Sequence, residues 1–370
     1  MKIAQVAPLH ESVPPRLYGG TERIVSYLTE ELVREGHDVT LFASGDSTTS
    51  AELRPMCDRA LRLNGRSLTD PLAHHMLLLE RVMAEAENFD IIHFHIDYLP
   101  FSLIRHFGIP AVTTLHGRLD TPDLVPIFRH FRDMHLISIS DAQRSPIPWA
   151  SWAATVHHGL PETLYRRGNG DGGYLAFLGR ISPEKRVDRA IEISRRLGMR
   201  LRIAAKVDTA DKIYFEKSIQ GLLQGTDVEF VGEIGEREKN DFLGKARALL
   251  FPIDWPEPFG LVMIEALACG TPVIAFRGGS VEEIIEDGVT GYIVSNIDEA
   301  CQAVAKLDRI DRSVCRTTFE QRFSARRMCN DYVHVYRRIM EQSKSSLQPP
   351  HALQEHLAGV PISDVFANSE

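Results

Sequence analysis

Residues 251–275 read FPIDWPEPFGLVMIEALACGTPVIA, and the fold turns on them. An apolar run ends at Phe251, and Pro256 and Pro258 stiffen the loop that follows. Residues 259–269 have the composition of a short helix, stopped by Gly270 and Pro272 before the next apolar run. Strand, loop, helix, turn and strand follow each other. Two acids lie eight positions apart, Glu257 in the loop and Glu265 inside the helix. A carboxylate in an apolar helical run is costly to bury unless something pairs with it. A helix start beside a strand end also offers free backbone N–H groups to an anion. The stretch therefore predicts a site for a polar ligand carrying hydroxyls and negative charge.

The same alternation extends back to residue 174. Apolar runs at 174–178, 201–205, 228–231, 248–251 and 272–276 are spaced by helical patterns at 183–196, 212–220, 236–246 and 281–286. Such short runs suit parallel strands covered on both faces. GRISPEKR at 179–186 follows the first of them, with Pro183 placed to open a helix. Arg180 and Lys185 then lie near a strand-end crevice, where a guanidinium fork and an ammonium point charge suit a diphosphate. Carboxylates beside them would accept hydrogen bonds from sugar hydroxyls.

Residues 1–160 repeat the pattern, with strands at 2–7, 38–43, 90–94, 111–115 and 135–139 and helices at 21–35, 71–87 and 100–107. Tyr18-Gly19-Gly20 forms a glycine turn after the first strand, where a doubly wound domain brings backbone close to ligand. It is not a GxGxxG fingerprint, and no acid ends the second strand in the ribose-reading position. Polar residues gather past strand ends: His93, His95, Asp97, His116, Arg118, Asp120 and Asp123. His93, His95, Asp97 and His116 superficially suggest metal ligands. The reading preferred here has no metal, with an apolar buried face and His116 as the functional histidine. His74–His75, His106, His130 and His157–His158 read as surface or loop residues. Residues 161–173, rich in glycine, look like a mobile linker. A final helical stripe at 319–340 is expected to pack back across both domains, ahead of a loose tail at 343–370.

At 370 residues the chain can hold two domains with separate cores. Its net charge of −8 argues against nucleic acid and a broadly anionic membrane surface. No apolar run approaches the roughly 18 residues of a membrane span, and MKIAQVAP lacks the length of a signal peptide. Five cysteines without a CxxC read as reduced thiols. A cytoplasmic protein without integral membrane association is expected, with peripheral contact left open.

Glu257 and Glu265 in an E-x7-E arrangement, followed by ALACGTPV at 266–273, resemble the family-four nucleotide-sugar glycosyltransferases, which are retaining enzymes of the GT-B type. Arg180, Lys185 and the Gly19-Gly20 loop agree with the likeness, which covers most of residues 1–342. The resemblance implies an α/β chain of two Rossmann-like doubly wound domains facing across a cleft: acceptor side at 1–160, linker at 161–173, donor side at 174–318, crossover helical segment at 319–342. It implies that Glu265 holds the donor ribose, Glu257 faces the hexose, and Arg180 and Lys185 bind the diphosphate with backbone N–H groups of Phe259, Gly260 and Leu261. Gly19 and Gly20 would close from domain one, and His116 would touch the sugar near the reacting centre. Glu282, after Gly278-Gly279-Ser280, is a further candidate near the nucleotide. Lys206-Val207-Asp208 departs from the family's glycine-rich turn, which implies either that Lys206 adds charge near the donor or that the local loop is rebuilt. Asp97, Arg118 and Asp120 are acceptor-side candidates, with the loops at 11–18, 97–100 and 118–123 selecting the acceptor.

The implied reaction moves a hexosyl group from a nucleoside-diphosphate sugar to a hydroxyl of a soluble sugar or small metabolite. It retains the anomer and uses no cofactor and no metal. Glu257 as a covalent nucleophile is disfavoured against a sugar-positioning role. Alternatives are a sugar phosphorylase or nucleotide-sugar epimerase on the same scaffold, a non-catalytic sugar-nucleotide binding protein, and a metal-dependent hydrolase.

Overall fold

The computed structural model describes residues 1–16, 19–63, 70–225 and 227–345. Two parallel sheets organise them. The first joins β1 (Lys2–Val6), β2 (Asp38–Ala43), β3 (Glu52–Pro55), β4 (Ile91–Phe94), β5 (Ala111–Thr114), β6 (Leu136–Ser138) and β7 (Trp152–Thr155) in the order β3-β2-β1-β4-β5-β6-β7. The second joins β8 (Tyr174–Arg180), β9 (Arg200–Lys206), β10 (Val228–Gly232), β11 (Ala248–Phe251), β12 (Val273–Phe276) and β13 (Gly291–Val294) in the order β10-β9-β8-β11-β12-β13. In each sheet the winding reverses between two central strands, β1 and β4 in one, β8 and β11 in the other. Such switch points leave a crevice at the carboxyl ends of the strands.

In the first half, α1 (Gly20–Arg34), α2 (Pro71–Ala84), α3 (Phe101–Phe107) and α4 (Leu124–His130) connect the strands. In the second, α5 (Val187–Leu197), the single turn α6 (Lys212–Tyr214), α7 (Glu236–Gly244), α8 (Leu261–Ala268), α9 (Val281–Ile284) and α10 (Ile297–Val304) do so. Local chemistry sets several of their starts. Asp70 accepts from the N–H groups of Leu72 and Ala73 with Pro71 in the first turn of α2, and Asn296 accepts from Glu299 N at 2.9 Å to start α10. Ile24, Leu28 and Leu32 line one face of α1 and are fully buried against the first sheet.

Five elements were not anticipated: β3, β7, α4, β13 and α10. The charged run Glu52-Leu-Arg-Pro55 lacks an apolar strand signal because β3 is a sheet edge with one neighbour. The helical run expected at 319–340 is two helices, α11 (Arg312–Arg322) and α12 (Ala325–Ser345). Leu160 N donates to Phe323 O at 2.9 Å and Ala325 N to Leu160 O at 2.8 Å. That extended bridge takes Phe323 and Ser324 out of the helix. On one side of the break α11 packs on α8; on the other, α12 returns to α1. The chain thus crosses back at residues 323–325.

The glycine-rich stretch is not a loose linker. Gly168 N, Gly170 N and Gly172 N donate to Cys269 O, Gly244 O and Lys245 O at 2.9, 3.0 and 2.9 Å. Arg312 donates to Gly168 O, Gly244 O, Ala246 O and Thr271 Oγ1. A Cβ at Gly168 would run into the backbone of Gly244. Glycine composition here serves close packing against the second half. Leu17, Tyr18 and the tail from 346 onward lie outside the described residues. No helix among the described residues is long and apolar enough to cross a membrane.

Candidate functional site

The carboxyl ends of the two sheets face each other across a cleft of about 800 Å³. From the first half come His10, Gly19, Gly20, Glu22, Asp97, His116 and Arg118. From the second come Arg180, Lys185, Lys206, Lys239, Trp255, Glu257, Phe259, Gly260, Leu261 and Glu265.

Glu257, 8% exposed, sits in the loop after β11. Its Oε2 takes the Trp255 indole N–H at 2.9 Å and is paired with Lys185. The Lys185 ammonium lies 5.1 Å over the Trp255 ring and 5.7 Å over Phe251, so a cation, two aromatic faces and a carboxylate share one corner. The loop is braced from behind. Ser280 N donates to Glu257 O at 3.0 Å, and Ser280 Oγ donates to Phe259 O at 2.7 Å. Gly279, at φ 54°, lies against the Glu257 backbone with no room for a Cβ. Gly278-Gly279-Ser280 therefore serves Glu257. Glu282, expected near the nucleotide, points away: it is exposed, paired with Arg277, and absent from the cleft lining.

Glu265, 4% exposed, is held by Lys239 Nζ at 2.7 Å. Lys239 was not anticipated. It comes from α7, and its sequence neighbourhood, EREKND, reads as an ordinary solvated helix start. Glu236, one turn earlier, pairs with Arg23 of α1 and accepts from Tyr165 OH, so charge pairs link the two halves next to Glu265. Arg180 is not a lone cation. Its guanidinium lies 2.6 Å from Glu184, 3.4 Å from Asp211 and 4.0 Å from Asp208, while Lys206 Nζ is 3.1 Å from Asp208. Arg180 and Lys206 are register partners at the ends of β8 and β9, which places the departing Lys206-Val207-Asp208 turn directly beside Arg180.

Gly260 has φ 80° and starts α8; a Cβ there would meet Met263 Cε at 2.8 Å. Gly20 faces this helix start across the cleft, with its missing Cβ 3.5 Å from Leu261 Cδ1. At Gly19 a Cβ would lie 2.7 Å from Pro15 Cβ, so the turn closes only with glycine there.

The histidines differ most from expectation. The buried face beneath β4 and β5 is polar: the His93 and His95 rings lie 4.0 Å apart between centroids, tilted by 42°, joined by Gln5, Thr114, Tyr332 and Tyr336. His75 and His158, expected at the surface, are 5% and 4% exposed. His158 stacks on His116 at 5.3 Å with the rings 16° apart. Among the described residues no three potential ligands converge as a metal site; the ring nitrogens of His93 and His95 are engaged in hydrogen bonds. Burial lowers the His116 pKa to about 3, so the ring is neutral at any working pH.

Asp97 ends the β4 loop with φ 51°, an uncommon conformation for a side-chain-bearing residue. Solvent reaches it from the cleft, but protein crowds the carboxyl on its other sides, and that burial raises its pKa to about 6. Arg118 reaches to within 5.8 Å of the Trp255 ring in the second half. Asp120 does not line the cleft; it holds Arg118 through bonds of 2.6 and 2.7 Å. Away from the cleft centre, Glu283 Oε1 and Oε2 accept from Ala142 N and Asp141 N at 2.8 Å each, and His157 Nε2 is 3.0 Å from Oε2. Ser140 Oγ donates to Pro258 O at 2.6 Å beside this clasp.

Comparison with known proteins agrees with the fold and the family likeness. The family described as Glycosyltransferase Family 4 matches residues 18–155, and that described as Glycosyl transferases group 1 matches residues 167–313. The chain is 26% identical over 352 residues to a glycogen synthase of Mycobacterium tuberculosis, covering 80% of this chain and 84% of that one. Its fold is similar to a sucrose-phosphate synthase from Thermosynechococcus elongatus (TM-score 0.74, 19% identity, 92% and 99% of the two chains). It is also similar to the Anabaena protein HepE solved in complex with UDP-glucose (TM-score 0.67, 18% identity, 93% and 100%).

Proposed function

Since the chain belongs to the family-four type glycosyltransferases with the GT-B fold, we propose that it moves a hexosyl group from a nucleoside-diphosphate sugar to a hydroxyl of a soluble sugar or small metabolite, with the anomeric configuration retained. The observation that carries this reading is the pair of nearly buried carboxylates, Glu257 and Glu265, each held by a lysine at the strand-end crevice of the second half. Diphosphate and sugar hydroxyls together match that mixture of cations and acceptors. HepE, solved with UDP-glucose, has the same fold and supports the donor class.

In this reading Glu265 accepts from the ribose hydroxyls and Glu257 from the hexose, with Lys206 near the nucleotide. Arg180 and Lys185, with N–H groups at the start of α8, neutralise the diphosphate. As the anomeric C–O bond breaks, its electron pair goes to the leaving phosphate, where these cations stabilise the charge. The acceptor oxygen attacks from the same face and its proton passes to a phosphate oxygen. In this reading these cations take the role that a divalent ion serves elsewhere, and the reaction is metal-independent. His116, Asp97 and Arg118 face the cleft from the first half, the acceptor side, with Asp120 steadying Arg118; Gly19 and Gly20 bring backbone up to the α8 start. Closure of the halves excludes water and limits donor hydrolysis. A cytoplasmic location fits this donor class.

The test is a panel of UDP-, GDP- and ADP-hexoses offered with mono- and disaccharide acceptors and small polyols, with and without chelator. Release of nucleoside diphosphate together with an α-linked product from an α-linked donor is expected, unchanged by chelator. An inverted product, glycosyl phosphate formed with inorganic phosphate as acceptor, or loss of activity on chelation would overturn it.

A further inference from the structure

Beneath the cleft a chain of hydrogen bonds runs through the buried interior from His116 to the crossover helix. His116 Nε2 lies 2.9 Å from His95 Nδ1, and His95 Nε2 lies 2.8 Å from Gln5 Oε1. Gln5 Nε2 donates to Tyr336 OH at 3.1 Å, and that hydroxyl lies 2.6 Å from His93 Nδ1. His93 Nε2 is 2.7 Å from Thr114 Oγ1, which is 3.1 Å from Tyr332 OH. Gln5, His93, Thr114, Tyr332 and Tyr336 are wholly buried and His95 is 2% exposed. Polar groups at this depth are costly unless every member finds a partner.

A neutral imidazole has one donor nitrogen and one acceptor nitrogen, so each ring passes the direction of the chain to the next. Two directions satisfy the interior. In one, Gln5 turns its amide N–H toward His95, His95 donates to His116 Nε2, and His116 must carry its proton on Nδ1. In the other, His95 donates to Gln5 Oε1 and accepts from His116 Nε2–H, so Nδ1 is a bare lone pair. His116 Nδ1 is buried and has no hydrogen-bond partner among the described residues. An orphaned buried N–H costs more than an unused lone pair, which selects the second direction. The placement of Gln5 Nε2 on Tyr336 OH agrees with it.

We propose that His95, held by Gln5, which Tyr336 holds in turn, is a positioning residue that keeps the cleft-lining His116 in its Nε2–H tautomer, so that the ring is fixed without leaving a buried N–H unpaired at the edge of the sugar site. The inference rests on the reading of His116 as a sugar-facing residue. The stacking of His158 on His116 keeps the ring plane in place. Because Tyr336 belongs to α12, the state of this ring is tied to the helix that returns across the two halves.

The full chain, labelled with ¹⁵N-histidine, gives the tautomer directly from long-range ¹H–¹⁵N spectra, with His116→Gln assigning the signal. His116 should be purely Nε2–H between about pH 6 and 8. Gln5→Leu and His95→Phe should convert it to a mixture or to Nδ1–H. His95→Gln, whose carbonyl can accept from His116 and whose amide can donate to Gln5 Oε1, should keep it. Turnover should fall on the order of 100-fold in Gln5→Leu and His95→Phe, with donor KM changed less than about threefold, and recover in His95→Gln. A wild-type Nδ1–H or mixed signal, or a tautomer unmoved in both Gln5→Leu and His95→Phe, would overturn the proposal, as would a moved tautomer with unchanged turnover. Failure of the glycosyltransfer reading looks different: wild type then turns over no nucleotide-sugar while the spectra still report the network.

Discussion

Lys239 Nζ sits 2.7 Å from Glu265 Oε1, and the two side chains are 14% and 5% exposed. Neither α7 nor α8 explains its charged residue alone; each is tolerated because the other faces it. Removing one partner of such a pair leaves an uncompensated buried charge. Lys239→Met is therefore expected to cost about 3 kcal/mol in urea unfolding and to abolish donor binding. Lys239→Met combined with Glu265→Leu should regain most of the stability and none of the binding. Equal stability of the single and double variants would rule the pairing out as the cause.

Lys185 holds Glu257 in the resting cleft and is assigned to the diphosphate during reaction. Arg180→Ala and Lys185→Ala should each lower kcat by about 10²- to 10³-fold. Steady-state kinetics with added Mg²⁺ checks the assignment, because restoration by the metal would contradict it.

Gly279 leaves no space for a Cβ against the Glu257 backbone. Gly279→Ala must displace that loop, at a cost above about 1 kcal/mol, since alanine also resists positive φ. Calorimetry should show weakened donor binding together with a lower Tm; a Tm loss with unchanged binding would separate the brace from the site.

Asp97 titrates near pH 6 in the folded chain, above its unfolded value. Between these values the folded state binds more protons, so this group's contribution to stability falls as pH rises from about 4 to about 6. Asp97→Asn should flatten the stability profile in that window. The same variant should raise acceptor KM and leave donor KM unchanged. An unaltered pH profile would show that the carboxyl titrates normally.

Glu283 clasps the two halves. Burial works to raise its pKa, but the bonds from His157, Ala142 N and Asp141 N outweigh it and hold the carboxyl below its ordinary range. Its stabilisation is thus present above the unfolded value and lost as pH falls through the folded one. Glu283→Ala should cost about 2 kcal/mol and speed hydrogen exchange at residues 140–142 at neutral pH. Exchange unchanged at those amides would argue that the clasp does not hold the halves together.

Legibility followed the range of the interactions. Glu265 stood out because an acid among Leu, Val, Met and Ile is a local anomaly that one window of sequence displays, and Glu257 because it lies eight positions earlier in a loop stiffened by Pro256 and Pro258. Lys239, Trp255 and Glu283 did not, since lysine on a charged helix, tryptophan in a loop and glutamate near a glycine turn each have an ordinary local reading. Glu282 was named and Glu283 was not considered; a single-residue shift on a four-residue helix changes which side chain faces inward, and no periodicity resolves so short an element. The glycines at 168–173 looked mobile because composition reports permissiveness, whereas Gly244 and Arg312, which hold them, lie far along the chain.

Sequence alone determined the alternation of short apolar strands and helices, hence two doubly wound halves, and the family to which residues 251–275 belong. These follow from local propensity, periodicity and punctuation by Gly and Pro. Only the tertiary structure decided which cation meets which acid, that the core beneath the cleft is polar, and that His116 ends a hydrogen-bonded chain reaching Tyr336. Those facts depend on side chains up to 331 residues apart, and burial makes their pairing obligatory without writing it into any local pattern.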